Sequence, residues 1–206
     1  MISIAMAITD LGESTVLLPT AVTAGACLWV GAQKRLAVLS MLALGGCCAT
    51  MLILKLCFIA CGQTVVPELS IHSPSGHSAL SALFYGAVAL LLNRLIPAER
   101  RPGALIPALG IGLAAAIGYS RIVISVHSPQ EVALGLMVGY SWLALYAWRI
   151  AGIPEDRGLA TMTTLPAVLL YSGLLLWAFN GQHGEVEGLI DQVAQIIHTQ
   201  WGICAG

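Results

Sequence analysis

From Leu36 to Cys61 the sequence carries a single charged residue, Lys55. A helix crossing the hydrocarbon layer needs roughly 20 mostly apolar residues, and a run of this length supplies them. Five further stretches share the property: Ser14–Gln33, His77–Asn93, Gly103–Tyr119, Val132–Trp148 and Gly158–Asn180. Pro19 lies near the start of its stretch, where a helix tolerates it best. Gly103–Tyr119 is rich in Gly and Ala, which let helices approach closely in a membrane.

Composition points the same way. Hydrophobic residues make up 58% of the chain and charged ones 9%, with a mean hydropathy of +0.87. A soluble domain carries about 25% charged residues, so this chain cannot cover a soluble surface. A net charge of -1 provides no field to attract nucleic acid, and no nucleic-acid partner is expected. The expected fold is therefore all-α, a polytopic membrane protein with six transmembrane helices, forming one domain over residues 1–206 with its core at about 36–150. Met1 to Thr9 hold no basic group and do not read as a cleaved signal peptide. In the tail, 181–206, Leu189, Ile190, Val193, Ile196, Ile197 and Trp201 share one helical face. That pattern suits a helix lying on the membrane surface, and a flexible or packed tail equally.

The basic residues divide unequally. With six spans, loops 1, 3 and 5 hold Lys34, Arg35, Arg94, Arg100, Arg101, Arg149 and Arg157, seven of the nine Lys and Arg residues. The positive-inside rule makes that face cytoplasmic, with both termini and loops 2 and 4 outside. Lys55 and Arg121 are the exceptions, and something other than topology must account for them. The six cysteines fall mostly inside apolar runs, where they serve as small hydrophobes. Cys57 and Cys61 share a helix face, but no histidine or carboxylate stands next to them to complete a metal site.

Two polar breaks interrupt the apolar pattern on the outer side: Pro74-Ser75-Gly76-His77, and Ser120 to Glu131 with Arg121 and His127. Two cations, two histidines and a carboxylate suit an anionic substrate. Phosphoryl transfer spreads negative charge over the nonbridging oxygens, which cations and backbone N–H groups stabilise. It also needs a nucleophile in line with the leaving oxygen and an acid to protonate that oxygen. Ser75-Gly76-His77 opens the third span, so its N–H groups belong to a helix N-terminus, a natural anion cradle. Ser128 and Pro129 open the fifth span as N-cap and first helical residue.

The two breaks together resemble the type-2 phosphatidic acid phosphatase superfamily, the lipid phosphate phosphatases. Pro74-Ser75-Gly76-His77 matches the family's PSGH motif. Ser120-Arg121, five residues, His127, three residues and an acid, Glu131, match its third motif. The resemblance implies a metal-independent phosphatase without cofactor that works on a lipid-linked phosphate, phosphatidic acid or a prenyl diphosphate. It implies His127 as nucleophile, Glu131 as the group that orients it and His77 as the acid for the leaving oxygen. Lys55, Ser75, Gly76 and Arg121 would then bind the phosphoryl oxygens.

Two positions depart from the family pattern. Its first motif is a lysine, six residues, then Arg-Pro; after Lys55 the corresponding residues are Gly62 and Gln63. One phosphate-binding cation is thus absent, with Gln63 or Thr64 as candidates to replace it. The final acid is Glu131 where the family usually has Asp. Plainer readings stand beside these. Ser128–Glu131 also spells a capping box, and Lys55 at a helix end also fits a side chain that reaches the interface. A catalytically reduced lipid-binding or transport protein that kept the pocket is the alternative function.

Overall fold

The computed structural model describes residues 2–65, 71–96 and 98–154, with 170–175, 178, 192–193 and 196. Six α-helices follow one another in the continuous part of this set: α1 (Ile2–Asp10), α2 (Ser14–Val30), α3 (Lys34–Val65), α4 (Gly76–Leu95), α5 (Leu105–Val123) and α6 (Pro129–Ala151). A single 3-10 turn, Ala98–Arg100, precedes α5. No strand occurs among the described residues.

Among the described residues four stretches are long and apolar enough to cross a membrane: Ile2–Val30, Lys34–Ile59, Gly76–Leu95 and Leu105–Val123. Their outward faces are apolar too. Leu42 is 62% exposed, Leu109 63% and Ile53 61%, while the opposite faces of these helices are buried. A helix hydrophobic on its outer as well as its inner face belongs in a lipid environment. The fifth expected span, Val132–Trp148, falls within α6, a helix of 23 residues. The sixth, Gly158–Asn180, and the tail 181–206 lie almost entirely outside the described residues.

Boundaries differ from expectation, and α3 runs on past Cys61 to Val65. Residues 2–10 form α1, a helix of their own that packs against α5. And α5 runs on to Val123, so Ser120 and Arg121 sit in its last turn and not in a loop. Apolar pattern ends where charge begins, but a helix backbone satisfies its own hydrogen bonds and need not stop there.

Helix α4 is the centre, touching α2, α3, α5 and α6. Its buried residues are mostly small, including Ser78, Ala79, Ser81, Ala82, Gly86 and Ala89. Small side chains allow the close backbone approach on which membrane helix packing depends. The approach is tightest along α6, where Gly135 and Gly139 face α4. A Cβ added at Gly135 would collide with the Ser75 carbonyl, and one at Gly139 with the Ala79 carbonyl. Further along, Leu83, Leu143, Tyr146 and Ile150 join Leu36, Cys47 and Met51 of α3 in one apolar cluster. Two polar clasps fix α3 on α6: Trp142 Nε1 donates to Thr50 Oγ1 at 3.1 Å, and the Ser40 and Tyr146 hydroxyls meet at 3.2 Å.

The bundle has two chemically distinct ends. At one, Arg94 donates to the carbonyls of Ile150 at 2.7 Å and Ile153 at 2.5 Å, capping the end of α6. Lys34 lies over the Trp29 ring and Arg149 over Trp148 at this same end. A cavity of about 550 Å³ there is lined by Trp29, Lys34, Arg35 and Arg149. The other end holds the two polar breaks.

Candidate active site

Each break is built by a helix start. Ser75 is the N-cap of α4, its Oγ accepting from the Ser78 N–H at 3.4 Å and the Ser78 hydroxyl at 3.0 Å. Ser128 is the N-cap of α6, with Pro129 following and Glu131 completing a capping box. The two starts are tied directly, since the Ser75 N–H donates to the Glu131 carbonyl at 3.1 Å.

The Glu131 side chain spans both breaks. Its Oε1 accepts from the backbone N–H groups of His72 and Ser73, each at 2.9 Å. Its Oε2 accepts from the Ser128 N–H at 2.9 Å and stands 3.1 Å from His127 Nδ1. Burial opposes ionisation of this carboxyl. Hydrogen bonds from the N–H groups of Ser73, Ser128 and His72, and from His127, outweigh it and hold the group below its ordinary value. The capping box is present, and the same carboxylate stands at hydrogen-bonding distance from His127.

The spacing between Arg121 and His127 has a backbone cause. At the end of α5 the Val126 N–H donates to the Arg121 carbonyl at 3.1 Å, and the Ser125 N–H to the Ile122 carbonyl at 3.0 Å. That pair of bonds is a Schellman motif, and Ser125 takes its left-handed position at φ 60°. The His127 N–H also reaches back to the Arg121 carbonyl, at 3.4 Å. Five intervening residues are what this turn requires to return the chain onto the helix end. The Arg121 side chain is buried there.

Lys55 comes from α3 and is likewise buried. A Cβ placed on Gly76 would lie 3.9 Å from its Nζ, so the ammonium stands against the glycine of the first break. Gly62, Gln63 and Thr64 belong to α3, but their side chains are outside the described residues.

His77 is the second residue of α4 and is buried. Its Nε2 lies 3.4 Å from Glu13 Oε1, ion-pair distance without hydrogen-bond alignment. Glu13 immediately precedes the first apolar stretch, Ser14–Gln33. It sits in the turn between α1 and α2, which pack against α5 and α4 respectively. Its one sequence signal is a carboxylate beside an apolar run, which needs a partner if buried. His72 side chain is exposed, and it serves the site through its backbone. Among the described residues no three His, Cys, Asp or Glu side chains gather to hold a metal ion.

Direct contacts join Lys55 with Gly76, Ser75 with Glu131, and His127 with Glu131, while His77 follows Gly76 in α4 and Arg121 lies in the last turn of α5 ahead of His127. The family profile of the PAP2 superfamily matches residues 34–153, which hold all seven. A protein from Klebsiella pneumoniae, described as an uncharacterized 22.5 kDa protein in cps region, is 35% identical over 194 residues, covering 90% of this chain and 88% of its own. No solved structure matches the chain. The profile covers more than half of the chain, and with the arrangement of the two breaks it places the protein in the PAP2 superfamily, that of the type-2 phosphatidic acid phosphatases.

Proposed function

We propose that the protein is an integral membrane phosphatase that hydrolyses a lipid-linked phosphate through a phosphohistidine at His127. Membership of the superfamily suggests phosphatase activity. The observation that carries the finer reading is the double grip of Glu131. Its Oε2 stands 3.1 Å from His127 Nδ1, and the attack on phosphorus is accordingly assigned to Nε2. The same carboxylate fixes the loop before Ser75, so nucleophile and phosphate cradle share one anchor.

In the first half-reaction His127 Nε2 bonds to phosphorus as the bond to the leaving oxygen breaks, and His77 gives that oxygen its proton. Lys55, Arg121 and the N–H groups at Ser75 and Gly76 balance the charge on the nonbridging oxygens. Water then attacks phosphorus, gives its proton to His77 and releases phosphate from His127. The substrate is a lipid phosphate of the phosphatidic acid or prenyl diphosphate class, whose tail stays in the bilayer while its head enters between α3, α4 and α6. The positive-inside rule sets the site and both termini on the extracytoplasmic side, away from Lys34, Arg35, Arg94 and Arg149.

A second reading, a lipid-phosphate-binding or transport protein of reduced activity, is favoured by Gly62 standing where the first motif has arginine. Phosphate release from a panel of lipid phosphates, in detergent with EDTA, separates the two. The phosphatase reading expects release by the wild type and none by His127→Ala. Binding without release across the panel supports the second reading, and turnover lost in EDTA contradicts the metal-independent mechanism.

A further inference from the structure

We propose that Glu13 is the positioning carboxylate of His77, playing toward the acid the part that Glu131 plays toward the nucleophile. The proposal rests on the phosphatase reading above and adds a residue from outside the family match at 34–153. Glu13 Oε1 lies 3.4 Å from His77 Nε2, and the two side chains are each only 9% exposed.

An acid at this position has an ordinary explanation, which the geometry does not support. Glu13 is the N-cap of α2, where a carboxylate would normally accept from its own first turn. Its side chain makes no capping hydrogen bond. It is turned toward α4 instead. A carboxylate buried away from water is costly unless it is paired, and the His77 imidazole stands within ion-pair distance of it.

The turn that carries Glu13 is held from three directions. The Tyr85 hydroxyl of α4 donates to the Leu11 carbonyl at 2.8 Å. The Thr9 and Ser120 hydroxyls meet at 2.6 Å, joining α1 to the last turn of α5. Gly12 lies so close to α4 that a Cβ there would come within 3.0 Å of Ser81 Oγ. The placement of Glu13 is therefore fixed by packing with both helices that bear His77 and Arg121.

With Nε2 turned to Glu13, Nδ1 is the ring nitrogen that gives its proton to the leaving oxygen as the phosphorus–oxygen bond breaks. Glu13 orients the protonated ring for that transfer and takes no proton itself. In the second half-reaction the neutral ring recovers a proton from the attacking water, and the pair is restored.

The test uses the full chain in detergent, with wild type, Glu13→Gln and Glu13→Asp, on octyl phosphate and on p-nitrophenyl phosphate. An alkoxide needs an acid to leave and nitrophenolate does not. Glu13→Gln should lose about tenfold or more in kcat on the octyl ester, at nearly unchanged KM, and much less on the nitrophenyl ester. Glu13→Asp should recover part of the loss. Equal losses on both esters, or none, overturn the proposal. Wild type that hydrolyses neither ester removes the phosphatase reading by itself. The pairing is then decided by ring-nitrogen resonances of labelled histidine, where His77 signals that are the same in wild type and Glu13→Gln overturn it and displaced signals support it.

Discussion

The carboxylate of Glu131 accepts the backbone N–H of Ser73 at 2.9 Å, across 58 positions of sequence. Through this bond and its partner from His72, the loop ahead of α4 is fastened to the first turn of α6. Glu131→Gln keeps the shape but presents an NH2 group to one of two sets of donors. A buried donor left without an acceptor costs about 1–3 kcal/mol, and the variant should lose that much stability along with most phosphate release. Thermal unfolding in detergent and the release assay measure the two effects.

The same carboxyl gives a pH dependence. Its value in the folded protein lies below the ordinary 4.5, so it contributes stability above that range and loses the contribution as pH falls through the lowered value. Unfolding temperature should hold as pH drops toward 4.5 and decline below it. Glu131→Gln should decline less steeply over the acid range, and an identical slope in the two proteins would remove Glu131 as the cause.

At Gly135 the obstacle to a side chain is backbone, the Ser75 carbonyl, which cannot rotate aside. Gly135→Ala should force α6 away from α4 and cost about 1–3 kcal/mol. Because the displaced carbonyl belongs to the N-cap of α4, activity should fall with it. Gly112→Ala, where a Cβ meets nothing within 4 Å, is the control and should leave both unchanged.

Ser125 holds a left-handed conformation at φ 60° that glycine adopts without steric cost. Ser125→Gly should raise stability by up to about 1 kcal/mol and keep activity, while Ser125→Val should lower both. Unfolding midpoints and phosphate release of the two variants check this.

Much of the site was legible because its parts are local. Ser75 and Ser128 announce helix starts, and residues proposed to carry the chemistry stand beside them, so motif and capping signal coincide. The Arg121–His127 spacing is also local, though its reason is a helix-end turn and not a loop: α5 continues past the polar residues that end its apolar pattern. Glu13 was not legible as part of the site. It reaches His77 through the packing of α1 on α5 and of α2 on α4, contacts that no periodicity within the first residues encodes. The glycines of α6 are similar, since a Gly at 135 declares nothing until the carbonyl opposite it is known. The membrane character was plain from the long apolar runs, and four candidate spans occur among the described residues.

The account turns on His127 being the atom-transferring group of a site shared by both polar breaks. The direct measurement is to quench the protein during turnover of a lipid phosphate and locate phosphorus on the chain. An acid-labile phosphate on residue 127, absent from His127→Ala together with all release, is the predicted result. Undiminished phosphate release by His127→Ala, with no phosphate on residue 127 of the wild type, would contradict it.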